Sequence, residues 1–68
     1  MKYVKLRNFI KGQGMMYKDF AVKVLHTSST NVDYKWRGKH DFTIEQVKMI
    51  RKYFNLTNKQ VIDYFFDE

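Results

Sequence analysis

The sequence has no cysteine and no proline, and its three glycines stand at positions 12, 14 and 38. Without cysteine there is no disulfide framework to staple a small fold and no thiolate to bind a metal. Without proline no helix is broken by a residue that lacks its amide hydrogen. Long apolar runs are missing too, and none approaches the roughly 18 residues of a membrane-spanning helix, so no membrane partner is expected. Lys2, Lys5 and Arg7 interrupt every apolar stretch near the start, which is not the pattern of a secretory signal. The chain reads as a complete cytoplasmic protein. Acidic residues are scarce, seven Asp/Glu against thirteen Lys/Arg, giving a net charge of +6.

What is there points to one domain spanning residues 1–68. A chain of this size buries only about 60% of the surface its unfolded form exposes, so the core must be efficient. Six Phe, five Tyr and one Trp supply it. The charge is uneven: residues 1–40 carry nine Lys/Arg and two Asp, residues 41–68 four Lys/Arg and five Asp/Glu. A cationic first half suggests an anionic partner, nucleic acid foremost, with plain solubilising charge as the competing reading.

Apolar/polar alternation of the strand type is weak, whereas helix signals are strong. Thr43-Ile44-Glu45-Gln46 and Thr57-Asn58-Lys59-Gln60 are two capping boxes fourteen residues apart. Phe42 with Val47 and Leu56 with Val61 sit where hydrophobic staples belong. Helices are therefore expected over 44–54, ended by Asn55, and over 58–66. Tyr3, Leu6 and Ile10 fit a helix over 2–11, stopped by Gly12 and Gly14. Phe20, Ala21 and Val24 share one face of a short helix over 17–25. After the polar break His26 to Thr30, Thr27 or Ser28 can cap a further helix reaching Arg37, with Val32 and Trp36 inward and Gly38 as its stop. The expected fold is an all-α, compact five-helix bundle.

Chemistry-bearing clusters are lacking. No nucleophile–base pair, glycine-rich phosphate loop or metal-ligand cluster stands at usable spacing, so neither an enzyme nor a cofactor is expected. His26 and His40 have no third ligand at metal-like spacing. Asp67-Glu68 reads as a solvated chain end, and Met15-Met16 as filler between the first two helices. Lys5, Arg7 and Lys11 form either a solvated helix face or phosphate contacts. Tyr34 either covers the core or reaches a partner, while Trp36 is expected in the core because Val32 shares its face.

Two short helices around a polar break, the second hydroxyl-capped and glycine-ended, make a helix-turn-helix pattern. Reading DNA requires a second helix with an apolar inner face, small polar residues outward and cations nearby for phosphates. The stretch Tyr17-Lys18-Asp19-Phe20-Ala21, then Ser28 to Val32, then Gly38-Lys39-His40-Asp41-Phe42-Thr43, Asn55-Leu56-Thr57 and Phe65-Phe66 resembles the phage repressor and Cro-like helix-turn-helix family. It is closest to short versions from phages and mobile elements of low-GC Gram-positive bacteria. The resemblance implies a lambda-repressor-like fold and sequence-specific binding of double-stranded DNA by a transcriptional regulator. It implies base-facing roles for Ser29, Thr30, Asn31, Asp33 and Tyr34, and DNA-backbone contacts from Tyr17, Lys18, Ser28, Lys35, Arg37, Lys39 and His40. It also implies a homodimer, for which Val61, Ile62, Phe65 and Phe66 are the candidates. The chain departs from the family at Tyr17, where glutamine is usual, and at Leu25-His26, where a turn glycine is usual. The turn is also one residue longer, which leaves two registers for the second helix. A protein-interaction module on the same fold, without DNA binding, is the alternative.

Overall fold

The computed structural model describes residues 2–66, so the acidic pair Asp67-Glu68 lies outside the described residues. Within them the chain forms five helices and no strand. The two capping boxes set the second half. α4 spans Ile44–Phe54: the Gln46 amide donates to Thr43 Oγ1 at 3.1 Å and the Thr43 amide to Gln46 Oε1 at 3.0 Å. α5 spans Asn58–Phe65 behind the same device, with bonds of 3.2 and 2.9 Å between Thr57 and Gln60. Each box satisfies amides that a helix start leaves without partners. Phe42 and Leu56 are buried, and Val47 and Val61 pack on the same core. Asn55 takes the left-handed conformation (φ 55°, ψ 49°) that lets the Leu56 amide reach back to the Arg51 carbonyl at 3.0 Å.

α1 spans Val4–Gly12, starting two residues later than its apolar spacing suggests and running one residue into the glycines. Tyr3 is not helical but left-handed, with φ 59°. The cause is tertiary. The Lys2 amide donates to the Trp36 carbonyl at 3.0 Å, and the Tyr3 ring packs 4.9 Å from that of Phe42, so the chain must turn sharply before the helix begins. Of the methionine pair expected between the first helices, Met15 packs on the core, whereas Met16 is 70% exposed and fills nothing.

α2 opens as an α turn at Tyr17–Asp19 and widens into a π-helix over Phe20–Val24, not the uniform α-helix the periodicity suggests. The Leu25 amide bonds to the Phe20 carbonyl five residues back, and Thr27 reaches Ala21 at 3.0 Å. The π turn takes up an extra residue inside α2, and His26 (φ 53°) makes the left-handed turn that a glycine would make without strain. α3 spans Ser29–Trp36. Leu6, Ile10, Phe20, Val32 and Ile50 form the most deeply buried part of the core. Phe20 is at its centre, with the Trp36 and Phe54 rings at 5.9 and 6.5 Å and near-parallel to it. The Cα radius of gyration, 10.8 Å, matches the roughly 11 Å of a close-packed chain of this length. No helix among the described residues is long and apolar enough to cross a membrane.

Candidate nucleic-acid interface

α3 is held by caps at both ends and by its apolar side. Ser28 Oγ accepts the Asn31 amide at 3.4 Å, a cap of the kind that contributes about 1 kcal/mol. At the other end Gly38 (φ 81°) lets the Lys39 amide return to the Tyr34 carbonyl at 2.9 Å. Val32 and Trp36 face the core, the indole ring only 2% exposed. Ser28, Ser29, Thr30 and Asn31 are exposed on the other side, with Lys18 exposed on the first turn of α2.

The outward side chains are partly organised among themselves. The Asn31 carboxamide donates to Thr27 Oγ1 at 2.8 Å, which fixes its plane and leaves its oxygen and second hydrogen open. Asp33, half-buried, pairs with Arg37 one turn later, Nε to Oδ2 at 2.9 Å. The Tyr34 ring packs edge-on against His40, 5.9 Å between centroids, and the Lys39 ammonium lies 5.9 Å above it. Tyr34, Lys39 and His40 therefore form one surface cluster just beyond the helix end.

Lys35 corrects the reading drawn from sequence. Expected beside a phosphate, it is only 9% exposed. Position 35 falls three residues after Val32, on the flank of the apolar stripe, so the aliphatic stem is drawn inward. Its ammonium ends 5.8 Å from the centroid of the Phe42 ring, where the ring face attracts a cation.

A second group gathers where α1, α2 and α3 meet. Tyr17, Ser29, Thr30, Asp33 and Trp36 line a cavity of about 330 Å³. Arg7 lies over the rings of Tyr17 and Trp36, at 5.2 and 5.8 Å, and Lys11 over Tyr17 at 5.7 Å. Arg7 and Lys11 stand four apart on α1, which is the sequence signal that they share a face, but nothing local says that Tyr17 will meet them. The Tyr17 hydroxyl and the Trp36 indole Nε1 are buried and have no hydrogen-bond partner within the chain. An unsatisfied buried donor of this kind costs about 1–3 kcal/mol.

The loop after α3 is tied back to the chain start. Lys2 pairs with Asp41, the Tyr3 hydroxyl donates to Asp41 Oδ1 at 3.2 Å, and the Phe42 amide donates to the Tyr3 hydroxyl at 3.4 Å. Hydrogen bonds from Lys2, then from Tyr3, hold the Asp41 carboxyl below its ordinary range. Burial is the main cause that pushes the Tyr3 phenol above its own. These partners are 38 and 39 residues apart in sequence, beyond the reach of any pattern reading. Among the described residues, no three His, Cys, Asp or Glu side chains are grouped to hold a metal ion. No family model, curated protein or solved structure matches the chain.

Proposed function

We propose that this protein binds double-stranded DNA sequence-specifically, with α2 and α3 as its helix-turn-helix and α3 in the major groove. In this reading it is a transcriptional regulator, most simply a repressor, of a phage or mobile element in the cytoplasm. It acts by binding, not by catalysis, and needs no cofactor. The observation that carries the reading is the division of α3: Val32 and Trp36 are locked into the core while Ser29, Thr30 and Asn31 face away from it. Hydroxyls and a carboxamide on a rigid helix suit base edges, and Asn31 retains the pair of groups that adenine requires. Lys18, Arg37, Lys39 and His40 supply the flanking positive or polar contacts to phosphates. Lys35 drops out of that set.

The partner on the protein side is a second copy, which lets two α3 helices read half-sites roughly 34 Å apart. Phe65 is buried and Val61 half-buried, so they serve the core of one subunit. Ile62 and Phe66 are 55% and 68% exposed, and Phe66 shares a groove with Ile44 and Val47. This groove, with Ile62 one turn back, is the dimer surface we assign. The same patch also favours a protein-interaction module that does not touch DNA.

Footprinting on DNA upstream of the protein's own gene tests the reading. Protection of one or two short sites is expected. Thr30→Ala and Asn31→Ala should alter which bases are preferred, and Lys18→Gln should weaken all sequences about equally. No protection, with function lost on Phe66→Ser but kept on charge reversal at Lys18 and Arg37, would favour the interaction module.

A further inference from the structure

We infer that the groove between the end of α2 and the C-terminal half of α4 docks an acidic peptide segment of a partner protein, anchored by one apolar side chain. Lys23, Val24, His26, Met49, Lys52 and Tyr53 line this cavity of about 390 Å³. Its floor is apolar: Val24 is buried, Met49 is half-buried, and the Tyr53 ring, 50% exposed, leans on that of Phe54 with 4.9 Å between centroids. Its rim is cationic. Lys23 and Lys52 come from the last turns of two helices, and His26 from the turn between α2 and α3. A cation in a last turn suits the dipole of its helix. That accounts for each lysine singly, but not for two like charges sharing one groove, where they repel. No carboxylate lines the cavity, and among the described residues neither lysine nor His26 has an acidic partner. A partner that completes the site must bring the acid.

His26 adds an independent sign. Its backbone is left-handed, φ 53°, in a turn that glycine would make without strain. Strained positions that keep a side chain cluster where ligands are held, and this one sets an exposed imidazole, able to donate a hydrogen bond, on the rim. The apolar floor between cations favours a peptide over nucleic acid. One side chain fills the floor while neighbouring carboxylates reach the rim, whereas a duplex backbone presents its charges with no apolar side chain between them. The volume falls at the small end of ligand pockets, roughly 300–1,000 Å³, which is room for one anchoring side chain. None of the lining residues belongs to α3, so the inference stands apart from the DNA-binding reading.

The probe is a dye-labelled peptide with one phenylalanine flanked on each side by aspartates. It is titrated into the full chain and followed by fluorescence anisotropy and by ¹⁵N and methionine-methyl shift mapping. Binding tighter than about 1 mM is expected, with shifts at His26, Met49 and Tyr53. Lys23→Glu combined with Lys52→Glu should weaken it at least about tenfold, because two exposed attractions become repulsions. Lys11→Glu, a like charge change at a different cavity, should alter it less than about twofold. His26→Gly should weaken it about threefold while the melting temperature holds or rises, which separates docking from a structural role. Equal loss on Lys11→Glu, or equal binding of a peptide with asparagines for the aspartates, would overturn the acid-binding groove. Equal binding with serine for the phenylalanine would overturn the apolar anchor. Groove shifts caused by a single-stranded or duplex oligonucleotide and not by the peptide would make this a nucleic-acid surface and overturn the assignment. Silence at Met49 and Tyr53 up to about 1 mM peptide would do the same.

Discussion

Among the described residues, three side-chain-bearing positions have positive φ: Tyr3, His26 and Asn55. Asparagine tolerates this, but for the others it costs about 1–2 kcal/mol. At His26 the left-handed turn lets the Thr27 amide reach the Ala21 carbonyl, and glycine would make the same turn without the strain while losing about 0.5–1 kcal/mol of chain entropy. His26→Gly is therefore expected to raise stability by up to about 1 kcal/mol in urea unfolding, and a loss would show that the imidazole has a role the fold does not reveal. At Tyr3 the strain secures the latch to Asp41 and Phe42, which makes stability depend on pH at both extremes. Asp41 titrates lower in the fold than in the unfolded chain, so its contribution is complete above about pH 3.9 and disappears as pH falls through its lowered value. Tyr3 titrates higher, so its contribution is complete below about pH 10 and disappears as pH rises through its raised value. Melting temperature against pH should therefore flatten at the acid end in Asp41→Asn and at the alkaline end in Tyr3→Phe. Unchanged limbs in both variants would rule the latch out.

At the scale of elements, end signals carry most of the specification. Gly38 has open space where a Cβ would stand, so its requirement is the positive φ alone. Gly38→Ala should cost about 1–2 kcal/mol, and Thr43→Ala or Thr57→Ala about 1 kcal/mol each through loss of a cap, all measurable by chemical denaturation. These devices are also why α4 was legible in the sequence to the residue and α5 to within one, its helix ending at Phe65 where Phe66 was expected, since a capping box is local chemistry. The burial of Val32 and Trp36 was legible from their spacing of four. The start of α1 was not, because Tyr3 is displaced by residues nearly forty positions away. Nor was the π turn of α2, whose apolar spacing from Phe20 to Val24 is the same in either helix. Among the expected DNA contacts, the outward side of α3 was readable from polarity, but the withdrawal of Lys35 was not. A lysine on the margin of an apolar stripe goes in or out according to what packs beside it, and here Phe42 arrives from beyond the loop.

At the scale of the whole molecule the proposed DNA binding is electrostatic: a cationic first half, net charge +6 overall, presents α3 with exposed cations beside it. Charge that reaches phosphates must appear in the salt dependence of binding, and charge held inside must not. Lys35→Met is expected to leave the slope of log K against log salt unchanged, whereas Lys18→Gln should make it shallower by about 0.9, one phosphate's share. The most direct measurement is that slope for the unmodified chain on a duplex carrying its footprinted site, from about 50 to 200 mM salt. Binding through α3 and its flanking cations predicts a steep linear fall, with a slope of about −4 if four or five phosphates are neutralised. A flat line, or no binding at the lowest salt, would contradict it.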